Sequence, residues 1–109
     1  MSYQIEALPN FKRELKRLKK KYPSLLQDVA DLATDLAENP TQGTGLGQQC
    51  YKIRLAISSK QQGKSGGARV ITCVVAVAEK VTLLSIYDKS EQADIPIKIL
   101  QQLIKEAGV

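Results

Sequence analysis

Residues 68–78 (ARVITCVVAVA) are apolar almost throughout and carry a single charge, Arg69. No other stretch restricts the fold as much. A run of this kind cannot lie half in water, so it reads as a central strand covered on both faces. The flanking sequence supplies its neighbours. Tyr51, Ile53, Leu55 and Ile57 alternate with Lys52, Arg54 and Ala56, which is the period of a half-buried strand. Glu79-Lys80 reads as a hairpin turn. Residues 81–87 form another strand, closed by Asp88-Lys89-Ser90.

The N-terminal part follows a different period. Residues 3–8 alternate and stop at Pro9, as a short first strand would, and Asn10 is placed to cap the helix that follows. Phe11, Leu15 and Leu18 recur at i, i+4 and i+7, with Tyr22 continuing the stripe. Pro23 forces Tyr22 out of the α region and ends that helix. Leu25, Leu26, Val29, Leu32, Ala33, Leu36 and Ala37 then define a second helix, with Asp28, Asp31, Asp35 and Glu38 mostly off its apolar stripe. Residues 39–47 and 58–67 read as loops. Asp94 is the expected cap of a last helix built on Ile95, Ile99, Leu100, Leu103 and Ile104. The order is β-α-α-β-β-β-α. It implies an α+β fold in one domain over residues 1–109, with an antiparallel sheet of about four strands, an N-terminal helical hairpin and a C-terminal helix.

The chain of 109 residues carries 16 Lys and Arg against 11 Asp and Glu, a net charge of +5, and it has no histidine. Without imidazole, serine–histidine triads and histidine zinc sites are excluded. Proton chemistry here must run on Lys, Tyr, Asp, Glu or Cys. The cations are concentrated. Residues 39–78 contain Lys52, Arg54, Lys60, Lys64 and Arg69 and no carboxylate. Residues 12–21 hold seven cations and one acid, Glu14, which reads either as a solvated helix face or as a contact surface for nucleic acid or another protein. Clustering of this kind attracts phosphate polymers.

Within the basic stretch, Lys52 and Arg54 share a face of their strand. Arg69 needs a rim or cleft to be tolerated in its apolar run. Lys64 lies in a glycine-flanked loop suited to an anion. Gly63-Lys64-Ser65-Gly66-Gly67 lacks the GxxxxGK[ST] frame of a nucleotide-binding loop, so that reading is dismissed. Lys60 is a further candidate for binding substrate, and Tyr87 and Lys89 end the last strand together. Cys50 and Cys73 show no metal-ligand spacing. The expectation is two buried thiols in a reducing, cytoplasmic compartment, with a disulfide left open. No run approaches membrane-spanning length.

Two stretches together carry a resemblance: Gly63-Lys-Ser-Gly-Gly-Ala-Arg-Val-Ile71, preceded by Lys52-Ile-Arg-Leu55, and Leu83-Leu-Ser-Ile-Tyr-Asp-Lys89. With this spacing in a short basic chain, the sequence resembles the RelE/ParE toxin superfamily, and RelE-like and HigB-like members most. The resemblance implies a type II toxin with a cognate antitoxin partner. It implies a metal-free, cofactor-free endoribonuclease that cuts mRNA in the ribosomal A site, with no membrane partner. Position by position, it places the family's basic and aromatic site residues on Arg54, Lys64, Arg69, Tyr87 and Lys89. Lys52 and Lys60 are added as substrate-binding cations. A ParE-like gyrase poison and a non-enzymatic nucleic-acid-binding module of the same fold are the alternative readings.

Overall fold

The computed structural model describes residues 2–60, 63 and 66–108. Its elements are β1 (Gln4–Ala7), α1 (Pro9–Lys21), α2 (Leu25–Glu38), β2 (Thr44–Gly47), β3 (Cys50–Leu55), β4 (Ala68–Val75), β5 (Lys80–Asp88) and α3 (Ile97–Glu106). The strands form one sheet in the order β1-β5-β4-β3-β2. The α+β reading holds, and β4 takes the central place that its apolar run demanded.

The sheet separates two apolar layers. Phe11, Leu18, Leu25, Leu32 and Leu36 of the helical hairpin pack on Ile53, Val70, Val74, Val81 and Ile86. On the other face, Leu100, Leu103 and Ile104 of α3 cover Cys50, Ile71, Cys73, Leu84 and Tyr87. A strand buried on both sides has little use for period-two alternation, which is why β4 reads as continuously apolar.

Several boundaries differ from the sequence expectation. A fifth strand, β2, occupies part of the expected loop and pairs antiparallel with β3. All four of its residues are exposed, so it carries no alternation to read. Its turn to β3 runs through Gln48 and Gln49, both at positive φ. β1 pairs parallel with β5, and the other pairs are antiparallel. β4 ends at Val75, and Ala76–Ala78 forms a 3-10 turn with Val77 98% exposed. Apolarity alone carried the expected strand too far there. Leu8, not Asn10, stands at the start of α1, because Pro9 suits the first helical position.

Asn10 has another task. β1 covers β5 only as far as Leu83. Beyond that point α1 takes over the strand edge with side chains. Asn10 Nδ2 donates to the Leu84 carbonyl at 3.0 Å. Glu14 Oε1 accepts from the Ile86 amide at 3.2 Å and the Ser85 hydroxyl at 2.8 Å. Backbone groups that would be left unpaired are thereby satisfied.

The loop between β3 and β4 is tied down at its start. Asp28, buried in the first turn of α2, accepts from the Ser58 amide at 3.0 Å and the Ser58 hydroxyl at 2.6 Å. These bonds outweigh the opposing effect of burial and hold the Asp28 carboxyl below its ordinary value. At the far end, Gly67 has no room for a side chain. A Cβ there would sit 2.1 Å from the Leu55 carbonyl oxygen. That glycine of the GKSGG motif serves close backbone approach where β3 and β4 meet.

Cys50 and Cys73 face each other across β3 and β4 and form a disulfide. This replaces the expectation of free thiols. Two strand runs separated by a long loop do not reveal their register, and register is what brings the sulfurs together. With its ends 23 positions apart in sequence, the crosslink restricts the unfolded chain by about 3 kcal/mol in the chain-entropy view. Reduction is expected to lower stability by that amount, read as a drop in urea midpoint with and without dithiothreitol.

Candidate functional site

Sheet register assembles the site. Arg54 on β3 is paired with Arg69 on β4, and Arg69 is paired with Tyr87 on β5. Paired residues on adjacent strands point to the same face, with Cβ atoms about 5 Å apart. Three residues distant in sequence therefore form one row across the sheet. The row lies on the α3 face, since Tyr87 packs in that layer. Lys52, two positions before Arg54, shares the face.

The row is graded in burial. Arg54 is exposed, while Arg69 is 6% exposed and Tyr87 2%. Arg69 Nη1 donates to the Ala68 carbonyl at 3.1 Å. Two arginines paired across adjacent strands depart from the usual pairing preference of a sheet. Such a departure from local rules marks a functional site more often than a structural one. Both guanidinium groups have the fork that matches two oxygens of one phosphate.

Asp94 joins the cluster from the segment after β5. Its Oδ1 accepts from the Tyr87 hydroxyl at 3.2 Å, from Lys52 Nζ at 3.4 Å and from the Ile95 amide at 2.9 Å. Asp94 therefore does not cap α3, which starts after Pro96. The Ile95 amide bond, with Lys52 and Tyr87 adding to it against some burial, holds the Asp94 carboxyl below its usual range. Burial, then the Asp94 charge, pushes the Tyr87 phenol up to about 12, with Arg69 opposing. Tyr87 is thus a neutral hydroxyl at physiological pH. Sequence reasoning assigned Asp94 to capping because an acid before Ile-Pro looks like a helix start. Nothing in the sequence linked it to Lys52, 42 residues earlier.

The remaining candidates fall elsewhere. Lys64 lies outside the described residues. Lys89 is exposed at the end of β5, and its amide donates to the Gly67 carbonyl at 3.1 Å. Lys60 is not in the cluster. Its ammonium meets the fully buried Asp88 at 2.9 Å and the Ser90 hydroxyl at 3.2 Å. Asp88 also accepts from the Tyr22 hydroxyl, on the helical-hairpin side of β5. Lys60 therefore serves an ion pair of the fold. Among the described residues, no three Asp, Glu or Cys side chains converge to hold a metal ion. No described helix is long and apolar enough to cross a membrane.

The fold of the chain is that of the RelE toxins. A double arginine-to-alanine mutant of the E. coli toxin RelE in the free state superposes with a TM-score of 0.64 at 16% identity, covering 97% of this chain and 98% of that one. The intact E. coli RelBE toxin–antitoxin complex gives 0.62 at 18% identity, over 80% and 96% of the two chains. The RelBE2 toxin–antitoxin complex from Mycobacterium tuberculosis gives 0.60 at 17% identity, over 81% and 99%. No family model matches the sequence, and no curated protein matches it.

Proposed function

We propose that residues 1–109 form a single toxin domain of a type II toxin–antitoxin pair, acting in the cytoplasm as a ribosome-dependent mRNA endonuclease. The observation that carries this reading is the row Arg54–Arg69–Tyr87 on one face of a RelE-like sheet, completed by Lys52 and Asp94. The substrate's own 2′-oxygen attacks the adjacent phosphorus, and the bond to the 5′-oxygen breaks. A water molecule takes the 2′ proton and another gives one to the departing 5′-oxygen, leaving a 2′,3′-cyclic phosphate and a 5′-hydroxyl. Arg54 and Arg69 hold the non-bridging phosphate oxygens as negative charge builds on them. Tyr87 meets the 2′-hydroxyl. Lys52 completes the cationic surround that draws in the RNA backbone, and Lys64 and Lys89 are the further cations assigned to it. Neither metal nor cofactor enters the scheme.

Cleavage needs the message held in line, and the ribosomal A site supplies that positioning, worth up to roughly 7–11 kcal/mol. Free RNA is therefore a poor substrate. A cognate antitoxin covers the toxin until it is removed. The test is primer extension on a translated message after induction, alongside a plasmid supercoiling assay. New 5′ ends within codons, with supercoiling unchanged, are expected. Intact message with altered supercoiling would identify a gyrase poison instead. Ribosome binding without cleavage would leave a non-enzymatic binding module.

A further inference from the structure

We propose that Asp94 is a positioning residue that fixes Tyr87 as a hydrogen-bond acceptor toward the substrate. The inference rests on the nuclease reading above and assigns a role to a side chain outside the resemblance that suggested it.

A tyrosine hydroxyl has one proton to donate and lone pairs with which to accept. In this protein the proton is directed at Asp94 Oδ1, 3.2 Å away. What remains for a further partner is the lone-pair side of the oxygen. A group in that state can receive a hydrogen bond from a 2′-hydroxyl. It cannot at the same time donate one to the departing 5′-oxygen.

Asp94 is itself held in place. The Ile95 amide donates to the same oxygen at 2.9 Å, and the Gln92 side-chain amide donates to the Asp94 carbonyl at 3.0 Å. Lys52 Nζ lies 3.4 Å from Oδ1, so the carboxylate is compensated by a cation of the site. Its side chain is 64% exposed. Substitution there leaves both apolar layers untouched, so an effect on turnover is separable from an effect on folding.

The experiment is a double-mutant cycle on programmed ribosomes, under single-turnover conditions with saturating protein. Asp94→Asn is expected to slow cleavage roughly 10-fold to 100-fold, the scale of a misplaced reactive group, with ribosome affinity unchanged. In a Tyr87→Phe background the same substitution is expected to have no further effect, because the route proposed for it, through the Tyr87 hydroxyl, is gone. Spectrophotometric titration adds a readout independent of turnover. The phenol absent from Tyr87→Phe should lose its proton at lower pH in Asp94→Asn than in the wild type. Wild-type cleavage rates in Asp94→Asn would overturn the proposal. So would a loss that persists in Tyr87→Phe, which would place the action of Asp94 on Lys52, or an unmoved Tyr87 titration. A wild-type protein that leaves the message intact would overturn the nuclease reading as well. A cutting wild type with an equally fast Asp94→Asn overturns only the role of Asp94.

Discussion

Asp88→Ala is expected to lower folding stability by about 3–5 kcal/mol, the scale of breaking a buried ion pair on one side only. Asp88 is fully buried at the end of β5. It accepts from the Tyr22 hydroxyl, from Lys60 Nζ at 2.9 Å, and from the Ser90 hydroxyl and amide at 2.7 and 3.0 Å. Burial alone would raise its pKa, but the bonds from Tyr22, Lys60 and Ser90 win and hold the carboxyl well below the ordinary range. Alanine takes the carboxylate away from Lys60, whose side chain is 12% exposed, and from the Tyr22 hydroxyl, and leaves Lys60 the Ser90 hydroxyl. A domain of this size has about 5–15 kcal/mol in total. The variant should therefore show a urea midpoint reduced by about a fifth at the least, with an unchanged slope.

The same carboxylate sets a pH dependence with a definite sign. In the unfolded chain Asp88 titrates near its ordinary value of 3.8, and in the fold it titrates lower. Its contribution is present above pH 3.8 and is lost as pH falls through and below that value. Asp28, Glu91 and Asp94 are lowered too and add to the decline. Asp88→Asn should flatten the acid limb of the stability curve without removing it.

The second large effect is on function. Arg69→Ala is expected to reduce mRNA cleavage by about 10²–10³-fold, the usual loss when one preorganised donor to a developing oxyanion is removed. Single-turnover rates on programmed ribosomes measure it directly, and growth arrest on induction should disappear with it. Arg69→Lys keeps the charge but not the fork that spans two oxygens, so it should recover only part of the rate. Arg69 is buried, so far-UV circular dichroism on each variant must first show the wild-type fold. An Arg69→Ala variant that folds, cuts message and arrests growth at wild-type rates would remove Arg69 from the site.

Much of the fold can be read from period alone. The two helices and the strands β3, β4 and β5 announce themselves by where apolar residues recur. What escapes is whatever depends on register or exposure. β2 (Thr-Gly-Leu-Gly) shows no alternation because all four of its residues meet solvent. The Cys50–Cys73 link exists because β3 and β4 pair in one register among several that the alternation allows. Arg54, Arg69 and Tyr87 were legible as residue types out of place, a cation in an apolar run and a tyrosine at a strand end. That they stand in one row was not legible. The contacts of Lys60 and Asp94 were hidden for the same reason. Nothing in a basic loop announces the Asp88 carboxylate that Lys60 meets, and an acid before Ile-Pro looks like a cap until Tyr87 is found beside it.

The place of β5 has a consequence for the order in which this molecule can form during synthesis. β5 lies between β1 and β4, and α1 docks over it. Residues 4–7 therefore wait for residues 80–83 before they have a strand to join. Until then the apolar stripe of α1 lacks much of the surface it is meant to cover. Closing so long a segment is slow and comes late in folding. A ribosome making this protein thus releases most of it before the sheet is whole. A chain cut short before β5 would yield no smaller version of the fold, because the strand that joins its two ends would be missing.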